Sequence, residues 1–172
     1  MEEQIDNSKF IIQRYDNYIA GANVKGNFLL AFNTFLTGGI VTNYSKIKEL
    51  VGCGVGETLL NVSLCILLIA SLATTIFVIK AVYPFLSSGN SSKDKYHSHI
   101  YFKSVSEFEN AKSYNDSFSK LTPEEFKLDL SNQTYELAKG LKKKYNFLKW
   151  SMLFIYFEIF LILLILAIII FL

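Results

Sequence analysis

The residue of this 172-residue chain best placed to do unusual chemistry is Glu158, the single charge in the apolar run from Trp150 to Leu172. If a bilayer begins between Asn146 and Trp150, its carboxyl lies about 12–18 Å deep, near the middle of a hydrocarbon core about 30 Å thick. An ionisable group there costs at least ~2.5 kcal/mol and turns toward a polar partner or a water-filled path. Asn33, about 9–12 Å from the same face by the same count, can reach a similar depth. Two readings stay open. Glu158 and Asn33 form a polar contact or conduction element used when subunits assemble, or they are hydrogen-bonded groups that hold a helix bundle together.

A second set of residues could bind an anion. Arg14 with Lys25, Lys103, Lys139 and Lys142 can gather around a phosphate, since arginine makes bidentate contacts to such groups; solvated and membrane-facing cations are the alternative. Tyr101 and Phe102 can stack on a nucleobase or pack in a core. His97 and His99 would face one side of an extended segment, but no cysteine or third histidine accompanies them, so a solvated loop is expected and no metal. Asp94 makes no convincing catalytic pair with either histidine. The chain carries no Gly-rich phosphate loop, zinc spacing, nucleophile elbow or kinase signature. It reads as a non-enzyme without a cofactor.

The elements that must position these residues follow from composition. Hydrophobic residues make up 51% and charged residues 19%, against about a quarter charged in a soluble domain. The apolar excess sits in blocks. Residues 26–45 and 58–79 are uncharged, and 150–172 carries only Glu158. Each block is long enough to cross a bilayer. The first is diluted by Asn33, Thr34, Thr37, Gly38 and Gly39, and a re-entrant or buried helix is its alternative. The acidic residues before it are wrong for a cleavable signal peptide. Twelve of the sixteen lysines fall in 80–149, with Lys142, Lys143 and Lys144 just before the last block. Lysines near span ends stay inside, which places the N-terminus and 80–149 in the cytoplasm and the C-terminus outside. A net charge of +2 gives no reason to expect a nucleic-acid polymer as partner; the cations suit topology and anionic headgroups. Cys53 and Cys65 would lie about 18 Å apart along one helix, too far for a disulfide. Sixteen lysines against one arginine suggest an AT-rich bacterial genome.

The spacing predicts stalk helices at both ends. Asn7 or Ser8 can cap a helix with a stripe of Ile11, Tyr15, Tyr18, Ala22 and Leu29. Thr122, Pro123 and Glu125 form an N-cap, a first-turn proline and a capping-box glutamate. One helix should therefore run from Pro123 to Leu172, with a seam of Phe126, Leu130, Leu137, Leu141, Tyr145 and Leu148. Between the stalks, residues 87–95 read as a loop, residues 99–105 as an extended segment, and 106–118 as a short helix with Phe108 and Tyr114 inward. The expected fold is an all-α membrane protein. Its parts are an amphipathic helix (1–25), transmembrane helices 26–45, 58–79 and 150–172, a short outer link (46–57), and a small cytosolic helical domain (80–149).

Certain stretches carry a family likeness. YDNYIAGANVKGNFLLAFNTF (15–35) enters the first span through Lys25. SHIYFKSV (98–105) contains the paired aromatics Tyr101 and Phe102, and LTPEEFKLDLSNQTYELAKGLKKKYNFLKWSMLF (121–154) includes Lys144-Tyr145. Over nearly the entire chain the sequence resembles the transmembrane effectors of bacterial anti-phage cyclic-nucleotide systems, the PycTM family of Pycsar defence. The resemblance implies a bacterial inner-membrane protein that senses a cyclic mononucleotide, such as cyclic CMP or cyclic UMP, made by a partner cyclase. It further implies that the protein impairs the membrane of the infected cell. A homo-oligomer in the lipid bilayer is expected, with ligand contacts sought among Arg14, Lys25, Tyr101, Phe102, Lys103 and Lys139. A constitutive channel subunit and a membrane scaffold are the alternatives from other classes.

The topology has a direct check. In a variant lacking Cys53 and Cys65, a cysteine introduced at Asn90 should resist a membrane-impermeant thiol reagent applied to intact cells and react after permeabilisation. Labelling from outside would invert the arrangement.

Overall fold

The computed structural model describes residues 2–51, 54–84 and 98–171. All regular structure among them is α-helical: α1 (Glu2–Thr42), α2 (Tyr44–Glu49), α3 (Val55–Val82), α4 (Phe102–Ser106), α5 (Ala111–Phe118) and α6 (Pro123–Phe171). The helices α3 and α6 are long and apolar enough to cross a membrane. Packing divides the chain into two compact units, Met1–Gly21 with Pro84–Lys143, and Ala22–Tyr83 with Lys144–Leu172. Each of α1 and α6 supplies residues to both.

The first unit is organised by polar groups. Thr122 caps α6 as its spacing predicts: the Thr122 backbone N–H donates to the Glu125 carboxylate at 2.8 Å, and the Glu125 N–H donates to Thr122 Oγ1 at 3.3 Å. Asn110 caps α5 through a reciprocal pair with Ser113. Asp129, one turn and a half into α6 and buried, accepts from Ser98 Oγ at 2.7 Å and from the His99 backbone N–H at 2.8 Å. Ser98 Oγ in turn accepts from the Ile100 and Tyr101 N–H groups. This local turn directs the chain into α4, so residues 99–105 are not the extended segment that their composition suggests. His99 is not in a solvated loop either. Its ring lies against Phe108 and Phe118, with Nε2 2.9 Å from Ser117 Oγ. Phe108 precedes α5 and meets Tyr114 edge-on at 5.4 Å between ring centroids. His97 and the 87–95 loop lie outside the described residues.

The helix α1 begins at Glu2, so neither Asn7 nor Ser8 is its cap; Ser8 Oγ bonds back to the Gln4 carbonyl within the helix. Its inward face also departs from the expected stripe. Ile11 and Tyr18 are exposed, while Ile5, Ser8, Ile12, Tyr15, Ile19, Ala22, Gly26, Leu29 and Asn33 are buried or half-buried. These positions alternate by 3 and 4, the heptad spacing of helices packed side by side. Gly26 marks the tightest approach, since a Cβ there would lie 2.5 Å from Val82 Cγ2.

The second unit buries two apolar clusters. One joins Val51, Leu60, Leu64 and Leu67 to Leu161, Ile165 and Ile168. The other joins Ala22, Leu29, Val78 and Ala81 to Leu148 and Ile155. The link after α1 is thus partly helical and contributes to the core through Val51. Gly54 opens α3 with φ +129°, a conformation that a side chain would strain. Cys53 lies outside the described residues.

Lys144 fixes the end of α3. Its side chain is only 4% exposed, and its ammonium donates to the carbonyls of Ala81, Val82 and Tyr83 at 2.7, 3.1 and 3.1 Å. Asn23 Oδ1 also lies 3.0 Å from the ammonium, whose three N–H groups are thus shared among four oxygens. The final carbonyls of a helix lack intrahelical donors and carry partial negative charge, so a buried cation there serves as a cap. Burial pushes the ammonium below the usual lysine range, and the oxygens around it favour the charged form.

Backbone carbonyls cannot be deleted along with their partner. Lys144→Met should therefore destabilise the detergent-solubilised protein by about 2–4 kcal/mol, since it leaves buried acceptors unpaired. Lys142→Met, at an exposed site, should stay within about 0.5 kcal/mol. Equal thermal shifts for the two would refute the capping role.

Hydrogen bonds from Thr122 hold the Glu125 carboxyl below its ordinary range. A lowered folded value means that the cap's contribution is present above the unfolded glutamate value, about 4.3. It is lost as pH falls through the folded value. Hydrogen exchange at the start of α6 should be slower than in Glu125→Gln above pH ~4.3, with the two converging at lower pH. A constant ratio across pH would contradict the assignment.

Candidate functional site

The first unit contains a cavity of about 640 Å³, within the range of small-ligand sites. One face of α1 contributes Lys9, Ile12, Gln13 and Asp16, which are three, four and seven residues apart and so share a side of the helix. The 100–102 segment contributes Tyr101 and Phe102, and α6 contributes Phe126, Leu130, Gln133 and Leu137. The Ser98–Asp129 turn sets the position of Tyr101 and Phe102, whose rings lie 4.9 Å apart.

Two polar atoms of lining residues are buried without a hydrogen-bond partner: Tyr101 Oη and Gln133 Nε2. Buried polar groups are nearly always paired, and leaving one unpaired costs about 1–3 kcal/mol. Burial also pushes the Tyr101 hydroxyl above the usual tyrosine range, which keeps it a donor. Phe102 is 65% exposed, an aromatic face without cover. The lining combines aromatic surface, an amide and a hydroxyl without partners, Lys9, which also meets Asp6 at 3.3 Å, and Asp16, a set that suits a small planar polar ligand carrying a single anionic group.

The residues singled out in the sequence are dispersed. Tyr101 and Phe102 line the cavity. Arg14 is exposed, with Nε donating to Tyr18 Oη at 2.8 Å. Lys103 lies in α4. Lys139 pairs with Glu136 at 2.9 Å, and that hydrogen bond raises its pKa. Lys25 belongs to the second unit, where its ammonium lies 5.9 Å from the Tyr145 ring centroid. Gln133 and Asp129 escaped sequence reasoning because both are polar residues on a face of α6 read by its leucines. Their spacing of four was visible, and so was the helical series that continues at steps of 3, 4 and 4 through Glu136, Gly140 and Lys144.

In the second unit, polar groups of the helices meet along α3. Asn33 is 1% exposed and Glu158 is 2% exposed, and they engage different residues. Asn33 Nδ2 donates to the Ser71 carbonyl and to Thr75 Oγ1, both at 3.0 Å, and Asn33 Oδ1 accepts from Ser71 Oγ at 3.1 Å. Thr37 and Ser71 hydroxyls lie 2.6 Å apart. Glu158 accepts from Thr74 Oγ1. Ser71, Thr74 and Thr75 thus satisfy α1 on one side of α3 and α6 on another. Among the described residues, no group of three metal-ligating side chains occurs.

Comparison with known proteins leads to one family. No curated protein and no solved structure matches this sequence. Residues 7–171 match the model of the PycTM family, described as the Pycsar effector protein domain. With that match extending over nearly all of its length, the chain belongs to the PycTM family of Pycsar anti-phage effectors.

Proposed function

We propose that this effector detects a cyclic mononucleotide of the cyclic CMP or cyclic UMP class in the cavity of its first unit, and that the second unit then impairs the bacterial inner membrane. The observation that carries the reading is the pair of buried, unpartnered atoms, Tyr101 Oη and Gln133 Nε2, on residues that line a cavity of ligand size. A pyrimidine edge offers acceptors to both donors. The Phe102 ring can stack on the base, and the Lys9 ammonium can meet the cyclic phosphate. Arg14, Lys103 and Lys139 then act outside the contact shell, and Lys25 acts in the second unit.

The proposed arrangement in the cell has three spans, 26–45, 58–79 and 150–172. The N-terminus and residues 80–149 are cytoplasmic, where a partner cyclase would deliver its product. The apolar side chains exposed on α3 and α6, such as Ile69, Leu72, Leu163 and Ile170, suit contact with acyl chains. The trigger is a population shift, in which ligand binds the membrane-damaging state more tightly than the resting one. Because α1 and α6 enter both units, a repacking of their cytosolic turns is the proposed lever. Several copies in a homo-oligomer would add their binding energies.

Substitutions in the cavity separate ligand binding from folding. Tyr101→Phe removes an unpaired buried hydroxyl, so the ligand-free protein should melt higher or unchanged, while affinity for cyclic CMP or cyclic UMP falls about tenfold. Gln133→Leu should act in the same direction. In cells co-expressing a cyclase that makes cyclic CMP or cyclic UMP, both variants should delay collapse of the membrane potential, and Arg14→Ala should not. Unaltered affinity and collapse in both cavity variants would remove the site from consideration.

A further inference from the structure

The second unit also contains a groove of about 660 Å³ between α1 and α6, distinct from the cavity described above. Its walls are apolar, with Val24, Phe28, Leu148 and Met152 as principal surfaces. Leu148 is buried at its floor, and Phe28 is 69% exposed at its edge. Two lysines, Lys25 and Lys149, also line it, and no acidic residue does. Lys25 directly precedes the uncharged run of α1, and Lys149 directly precedes the apolar run of α6. Both lysines therefore belong at the level where hydrocarbon gives way to headgroups. Neither has an ion-pair partner among the described residues; Lys25 has only the Tyr145 ring nearby.

We infer that this groove is a binding site for one anionic phospholipid, its phosphate held by Lys25 and Lys149 and an acyl chain lying along Phe28, Leu148 and Met152. Charge selects the occupant. Two unpaired cations over an apolar trough require an anion joined to an apolar tail, and a free phosphate would leave the trough unfilled. A second copy of the chain packed two-fold on this face would bring four lysines together without an acid. The site would make effector function responsive to the anionic lipid content of the membrane, independently of the nucleotide cavity.

The test is photo-crosslinking of the full-length protein in nanodiscs of neutral phosphatidylcholine, with a trace of phosphatidylglycerol carrying a diazirine on its acyl chain. Peptide mass spectrometry should place adducts within residues 24–29 and 145–152, well above those from a phosphatidylcholine probe. In Lys25→Gln/Lys149→Gln the excess should fall about 30-fold, the equivalent of about 1 kcal/mol for each lysine facing an anionic headgroup. Lys80→Gln/Lys142→Gln removes the same charge elsewhere and should keep the excess within about twofold. Helix content by circular dichroism checks that each variant is folded. Equal adducts from both lipids would overturn the site, leaving only annular lipid. So would an excess that survives the first double variant, complete competition by water-soluble glycerophosphate, or protein–protein crosslinks in place of lipid adducts.

Discussion

The ammonium of Lys144 is the contact on which the second unit depends. A charge that is 4% exposed must be met by oxygens, and the oxygens that meet it are the last carbonyls of α3 together with Asn23 of α1. Three helices are thereby registered at one atom. The apolar cluster around it, with Leu29, Val78, Ala81 and Leu148, contributes most of the burial, but hydrophobic contact alone is non-directional. A cation that accepts only a particular set of carbonyls specifies rotation and height. Removing the cation alone would strand these carbonyls, so it serves specificity as well as stability.

The same rule explains the rest of α6. Asp129, Gln133, Glu136, Lys144, Ser151 and Glu158 all lie on its buried side. Asp129, Glu136, Lys144, Ser151 and Glu158 have partners, in Ser98, Lys139, the α3 carbonyls, the Leu148 carbonyl and Thr74 respectively. Gln133 Nε2 does not. Against that background of satisfied neighbours, an unmet amide and an unmet tyrosine hydroxyl on lining residues mark the cavity more strongly than its size.

Sequence periodicity read some of this well. The single helix from Pro123 and its Thr122–Glu125 cap were legible because capping chemistry is local. The inward face of α1 was legible at Tyr15, Ala22 and Leu29 and misread at Ile11 and Tyr18. Apolar residues at neighbouring positions gave competing stripes, and Ser8, Gly26 and Asn33, which complete the true one, are not apolar. The polar side of α6 was passed over for a related reason: hydropathy ranks leucines above the glutamine and aspartate that are buried beside them. Glu158 and Asn33 stood out because charge or amide inside an apolar run is conspicuous. Their hydroxyl partners on α3 were unreadable, since serine and threonine in a membrane helix need no explanation. The turn at Ser98 depends on an aspartate 31 residues downstream, and no local pattern announces such a pairing.

The energetics of the proposed switch are consistent with these orphaned groups. Moving an equilibrium from 1% to 99% active takes about 5.5 kcal/mol of differential binding. Two buried polar atoms that the ligand pairs only in the membrane-damaging state would supply about 2–6 kcal/mol of differential binding at about 1–3 kcal/mol each. Stacking on an aromatic face adds about 1–3 kcal/mol. One ligand per chain is then close to sufficient, and two cooperating chains exceed the requirement. In the proposed switch, an effector that impairs its own cell's membrane must rest firmly in its inactive state, and a well-capped second unit would provide that resistance. The unpaired polar atoms on residues lining the first unit's cavity would then be the place where a small molecule supplies the difference. A resting state with every buried group satisfied would leave a nucleotide much less binding energy with which to shift the equilibrium.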